Sequence, residues 1–580
     1  MSGKDWGVLM DKNQKQYFNS IVVLLLVAIL LEVAILDISR DNPSNPAVIV
    51  DPSVPLSGGD VYDGFEFSTV EDMRQTDLEV GWIVSTAGYR YEDDNGGATY
   101  RIVQKSEYKT DNVYVIPIRG HLYAEMVFDE DTIVNVASAG IYPEENIGAK
   151  LNTLMYYSRG RVRGIEFNSG TYYIEKKIYL YDGLEVYGNG ESVLSVAHDY
   201  SSSGTAVFVC SDTDMNLVFD SICFDYETDN THPLSRCESV LMALTNISSC
   251  TINNCSFRAV NNTPEANIAI DLLWFMHTPK MNNISITDCV FENLTGVGSS
   301  PDTMLRGGSL WMSGPSGTTN YEFSDIEISN CIFNHTTNDE AIGIWSGKFK
   351  NVTLNNNTIE SSEHNTNNII TFYRGQFTNV LFADNDLSSY SKANAVIKIG
   401  DISSDSTIDI VGNDLSLNAD GGNPYSTTQS IILLIDDKAN STLVVQDNTI
   451  STDNDTEYRS LINCKNNTSN QIELSNNDIT CPLVYGMIYI NQSKDIDAEI
   501  RGNSIDNASY IAAASNCDGG ELGIFDNTIV SSNEVLVKET NTLNCVVQNN
   551  DFDGQGNPSI NYHSSAKNKS NVLFSESDNN

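Results

Sequence analysis

The stretch VTLNNNTI, residues 352–359, decides the fold. It alternates apolar and polar residues, turns on a run of asparagines and resumes with an apolar residue. A period of two is strand behaviour, because successive strand side chains point to opposite faces. Asparagine tolerates the left-handed turn conformation, so the run reads as strand, tight turn, strand. The pattern recurs as TINNCSF at 251, ISITDCVF at 284, IEISNCIF at 326, VLFADNDL at 380 and IDIVGNDL at 408. It continues as LVVQDNTI at 443, IELSNNDI at 472, AEIRGNSI at 498, LGIFDNTI at 522 and CVVQNNDF at 545. The step is 26 residues from Cys331 to Asn357, 28 from Asn357 to Asn385 and 24 from Asn503 to Asn527.

A further strand sits between motifs: AIGIWSG at 341, IITFYRG at 369, VIKIGD at 396, IILLIDD at 431, GMIYINQ at 486 and EVLVKET at 534. Two or three short strands per unit, with no helical stretch between them, predict an all-β solenoid. Each strand then lies parallel to its copy in the next coil, as in a right-handed parallel β-helix. The small Asn or Cys of the motif stacks on itself, and stacked Asn passes amide hydrogen bonds from coil to coil. Cys255, Cys289 and Cys331 fall in that column, which favours buried packing over a redox or metal role. Propeller blades need about 40 residues each, longer than most of these units. A sandwich does not repeat so regular a sidedness.

The 580 residues carry 33 basic and 77 acidic side chains, a net charge of −44. That excludes a nucleic-acid partner, which needs clustered Lys and Arg, and argues against docking on anionic lipid. The acidity suits a high-salt (halophilic) medium or a secreted surface kept soluble by charge. Ile21 to Leu31 is uninterrupted apolar, and with Phe18, Val33–Leu36 and Ile38 it makes about 20 residues, near the length that spans a bilayer. Lys4, Lys12 and Lys15 precede it, and Asp37 and Asp41 follow, which places the N-terminus in the cytoplasm. The expected layout is a cytoplasmic segment at 1–17, a transmembrane anchor at 18–38 and a linker at 39–64. A small β-rich cap follows at 65–135, then the β-helix at 136–555 and a polar tail at 556–580. The chain is thus expected as a single-pass cell-membrane protein with its C-terminal domain extracellular. Sequons at Asn246, Asn254, Asn283, Asn293, Asn334 and Asn351 fit a glycoprotein, although Asn-rich turns also generate them by chance. The eleven cysteines are an odd number, so at least one is expected unpaired.

The front end differs from the repeat. FSTVEDMRQTDLEVGWIVSTAGYRYEDDNGGATYRIV holds a Leu-x-Val-Gly at Leu78, Val80 and Gly81. Its Gly-Gly-Ala-x-Tyr-x-Ile is formed by Gly96, Gly97, Ala98, Tyr100 and Ile102. Then come Phe-x-x-Gly-Thr-Tyr-x-Ile at Phe167 to Ile174 and Leu-x-Val-x-Gly-x-Gly at Leu184 to Gly190. This region, roughly 66–200, resembles the entry to the β-helix in phage tailspike and pectate-lyase-superfamily proteins. The resemblance implies a small cap, then a helix near Asn152 to Tyr157 that covers the open end of the solenoid with Ile147, Leu151 and Leu154. The acidic pair usual before that helix is replaced by Glu144 and Glu145. The tailspike side of the resemblance implies a homotrimer, although an N-terminal anchor is foreign to virion fibres.

The resemblance also points to a site. In the polygalacturonase type of this superfamily an acidic pair opens a strand, and NDEAIGI offers Asp339 and Glu340. Asp302 lies on the inserted unit before it, and Glu363 and His364 follow one coil on. Coils stack about 4.8 Å apart, so acids on neighbouring coils fall within the spacings of glycoside hydrolysis. Arg306 or Arg374 could hold a sugar carboxylate. The family's Gly-His-Gly and Arg-x-Lys are missing, and a chain with 77 acids generates acidic pairs by chance. A lyase of this type needs Ca²⁺, but no spacing here picks out a calcium site, and no other cofactor or metal is expected. Trp274, Phe275, Trp311, Trp345, Phe372 and Tyr373 sit on the intermediate strands of consecutive coils. Adjacent pairs must send one member each way, so Trp274, Trp311, Trp345 and Tyr373 are candidates for a sugar platform. The expected function is to bind, and in one version to cleave, a polysaccharide or surface glycan. The alternative is a non-catalytic adhesin or structural envelope protein.

Overall fold

The computed structural model describes residues 65–562 and 573–574, apart from 107, 109, 198–199, 201–205, 229–239, 262–270, 277–279, 295–307, 315–319, 336–339, 362–367, 390–394, 403–404, 418–429, 438–439, 453–457, 484, 509, 532–534, 541–543 and 555–558. The repeat units form coils of three strands. One coil comprises Lys348–Asn355, Thr358–Ser361 and Ile370–Tyr373, and the next Gln376–Ala383, Asp386–Ser389 and Ala395–Gly400. Each strand pairs in parallel with its counterpart: Val352 with Val380, Ile359 with Leu387, Phe372 with Ile399. The third strands of all coils make one 14-stranded sheet. The fold is therefore a parallel β-helix.

The turn between the first two strands explains the motif. The residue before the column Asn or Cys is left-handed: Asn254, Asp288, Asn330, Asn356, Asp384, Asp447, Asn476, Asp526 and Asn549 all have φ between 49° and 56°. Gly412 and Gly502 fill the same place at φ 68° and 65°. Only Asn, Asp and Gly adopt that conformation readily. The next residue points inward and stacks. Asn385 Nδ2 donates to Asn413 Oδ1 at 2.9 Å, and Asn413 Nδ2 to Asn448 Oδ1 at 2.9 Å. The chain of amides runs on through Asn477, Asn503 and Asn527 to Asn550. Toward the N-terminus the column becomes Cys331, Cys289 and Cys255, all buried. Their neighbours are stacked rings: Phe224, Phe257, Phe291 and Phe333 lie 4.7–5.1 Å apart, centroid to centroid.

The N-terminal helix Gly148–Ser158 buries Leu151, Leu154 and Met155, with Ile147 just before it, against the first coils. Its first N–H groups, of Gly148 and Ala149, donate to the Glu175 carboxylate. Ahead of it a five-stranded sheet and the helix Val70–Gln75 enclose a separate small core around Met73, Tyr100, Ile102 and Val115. At the other end the coils run past residue 555. Ser559–Tyr562 and Leu573–Phe574 add parallel strands within the stretch expected to be a polar tail. The exposed edge of the last coil offers backbone groups that a polar sequence can pair with, so apolar periodicity is a poor guide there.

Among the described residues no helix is long and apolar enough to cross a membrane, and the apolar segment 18–38 lies outside them. No disulfide joins any two of the ten described cysteines. Burial pushes the Cys255 and Cys464 thiols up to about 12, which leaves them protonated and inert.

Candidate functional site

The outward residues of the third sheet form two columns. One runs Trp274, Trp311, Gly343, Thr371, Lys398 in direct register. The other, two residues on, runs Met276, Ser313, Trp345, Tyr373, Gly400. Alternation on the strands Asp271–Met276 and Ile370–Tyr373 sends Phe275 and Phe372 into the core and Trp274 and Tyr373 outward. The indole of Trp311 sits 5.4 Å from that of Trp345, which meets Tyr373 edge-on at 5.1 Å. Gly343, the register partner of Trp311, makes this possible. A Cβ there would stand 3.1 Å from the indole ring. Trp311 is consequently the most buried of the four rings, at 7% exposure, while Trp274, Trp345 and Tyr373 are half-buried. Trp274 Nε1 donates to Ser313 Oγ at 2.8 Å, whereas the buried Nε1 of Trp311 and of Trp345 have no acceptor among the described residues.

Cations close the C-terminal end of the row. Lys398 Nζ lies 4.4 Å above the Tyr373 ring and the Arg374 guanidinium 5.1 Å from it. Both are within the range of cation–π attraction. Arg374 also pairs with Asp401 at 3.1 Å. Burial lowers the Lys398 pKa, with the Glu340 carboxylate pulling the other way.

Glu340 is 2% exposed and accepts from Thr371 Oγ1 at 3.1 Å. It precedes the strand Ile342–Trp345 rather than lying in it, so strand alternation does not set its direction. The structure thus brings Glu340, Thr371, Lys398, Tyr373 and Trp345 together. Asp302, Arg306, Asp339, Glu363 and His364 lie outside the described residues. Sequence reasoning passed over Thr371 and gave no site role to Lys398; aligning the third strands on one another, Gly343 with Thr371 with Lys398, is the signal that finds them. Ser309 Oγ and His335 Nδ1 lie 3.1 Å apart and are buried. Among the described residues no group of three or more His, Cys, Asp or Glu could hold a metal ion.

No protein-family model matches the sequence, and no curated protein matches it. Solved structures do. A gp42 tailspike of an Acinetobacter phage is 11% identical, with a TM-score of 0.43 over 88% of this chain and 77% of that one. The gp49 tailspike of Pseudomonas phage LKA1 is 10% identical, with a TM-score of 0.43 over 67% and 75%. The enzymatically active domain of tailspike protein 4 of bacteriophage CBA120 is 13% identical, with a TM-score of 0.37 over 79% of this chain and 53% of that one. This chain therefore spans about half the length of that domain. The fold itself is established by the strand pairings described above.

Proposed function

We propose that this chain is a membrane-anchored, extracellular glycan-binding protein whose binding face is the aromatic row Trp274, Trp311, Trp345 and Tyr373. The observation that supports it is the run of outward rings along one face of the solenoid, ended by Lys398 and Arg374 over Tyr373. Sugar rings present apolar C–H faces that stack on aromatic surfaces, and hydroxyls that need donors and acceptors. Half-buried rings flanked by polar groups offer both. Two indole N–H groups lack an acceptor among the described residues, a cost that a bound hydroxyl or a water would remove.

Cleavage would require Glu340 together with a second carboxylate from the segments of Asp302, Asp339 or Glu363. Glu340 would act as the proton donor. Isothermal titration of the full chain in detergent tests the reading, with acidic and neutral polysaccharides at low and molar salt, with and without Ca²⁺. Trp345→Ala should weaken binding about tenfold, roughly 1.4 kcal/mol. Unchanged binding in that variant, or no binding by the parent to any glycan, sinks the proposal. Release of reducing ends or unsaturated sugars, lost in Glu340→Gln, would make the binder an enzyme. Sedimentation of the same sample tests the trimer, and protease added to intact cells tests whether residues after 40 lie outside.

A further inference from the structure

A second cluster lies further along the same sheet. The rings of Tyr485 and Tyr489 stack at 4.7 Å with planes 19° apart. The Arg459 guanidinium covers both, 5.4 Å from Tyr485 and 4.7 Å from Tyr489. Asn463 is the register partner of Tyr489 on the neighbouring strand and continues the outward column of Lys398 and Leu433.

Three features distinguish this cluster from ordinary packing. Among the described residues Arg459 forms no ion pair, in a chain with 77 acids, and its buried Nε has no partner. Asn463 is 6% exposed, and its buried Oδ1 has no hydrogen-bond donor among the described residues. Lys465, in the next outward column, adds a second cation between Ile435 and Asn491. A guanidinium held against two rings is pre-organised, and its terminal N–H donors are left for a planar anion. Buried polar groups in native proteins normally have partners, and an amide left without one marks a place a ligand can fill.

We propose that Arg459, Asn463, Tyr485 and Tyr489 form a second subsite on this face and that it takes a carboxylate-bearing sugar unit. It rests on the reading above in one respect: the same glycan is taken to run along the axis. Four coil steps separate the strand of Tyr373 from that of Tyr489, about 19 Å at 4.8 Å per step. The subsite therefore adds to binding only for chains long enough to span both clusters. The guanidinium would take the carboxylate edge-on, the amide of Asn463 a neighbouring hydroxyl, and the tyrosines would hold the guanidinium in place.

The test titrates the full chain in detergent with uronic-acid oligosaccharides of graded length and with the same oligosaccharides after carboxyl reduction. Affinity for the acidic series should step up once the chain spans both clusters. Arg459→Ala should remove that step, a loss of about tenfold, with Arg459→Lys retaining part of it, and leave the carboxyl-reduced series unchanged. Circular dichroism and the melting temperature of both variants establish that they fold. Equal binding by Arg459→Ala and parent, with Trp345→Ala still weakened, overturns the second subsite alone. Equal binding of acidic and reduced chains overturns its anionic specificity. Loss in Arg459→Ala without any effect of Trp345→Ala keeps this site and overturns the reading of the aromatic row. A parent that binds none of these chains overturns both.

Discussion

The coils from about 219 to 335 and those from 352 to 550 share one backbone turn and differ in what fills it. The earlier coils stack thiols beside phenylalanine rings, with Phe257 and Phe291 5.1 Å apart and only 6° from parallel. The later coils stack amides beside Ile359, Leu387, Leu415, Ile450, Ile479, Ile505 and Ile529. In the thiol half the column is filled mainly by contact, because sulfur is a weak donor and acceptor. Cys289 Sγ, for instance, reaches Thr287 O at 3.1 Å and Ile252 O at 3.5 Å. In the amide half each residue is a directional link. Asn413 donates to Phe382 O and Asn448 Oδ1 and accepts from both nitrogens of Asn385. The same turn can thus be held by shape or by hydrogen bonds. The aromatic row lies where one regime gives way to the other, on coils 271–373.

The contrast can be broken by mutation. The largest effect is expected for Phe291→Ala, which removes the middle of the ring stack and should cost about 4 kcal/mol in denaturant unfolding. Next is Asn413→Ala. It strands the Asn385 donors and the Phe382 carbonyl in a buried site, a loss of about 3 kcal/mol. Asn413→Cys should recover little of that, since a thiol cannot bridge two amides. If it unfolds at the parent's midpoint, the two halves are not held differently. Cys289→Ala should cost only about 1.5 kcal/mol, mostly as a small cavity.

The smallest effect concerns Lys398. Burial lowers its folded-state pKa below the unfolded value, so the unfolded chain binds more protons between the two. Stability should then rise with pH as it approaches the ordinary lysine value. Lys398→Met should flatten that rise and be neutral to slightly stabilising below it. A pH series of thermal melts for both chains would show it, and a steeper rise in the variant would contradict the assignment.

Much of the molecule was legible without coordinates. The steps of 24–28 residues where no insertion stretches them, the Asn/Asp/Gly before each column residue and the shared place of Asn and Cys follow from local rules, and the covering helix from the resemblance of its flanking motifs. Those rules are the period of a strand and the few residues that accept a left-handed turn. They act within one coil, so one coil of sequence suffices to read them. The extension of the coils through Leu573–Phe574 was not legible, because pairing at the last edge uses backbone groups that every residue has. On the third sheet, alternation offered Trp274, Trp311, Trp345 and Tyr373 as outward candidates but not which outward residues meet. Which outward residues meet depends on register between strands about a coil apart, and insertions of unequal length hide that register. Only the folded solenoid put Gly343 beneath Trp311, Lys398 over Tyr373, and Arg459 across Tyr485 and Tyr489. Those meetings are made by stacking coil on coil, at a distance along the chain where neighbouring residues exert no constraint.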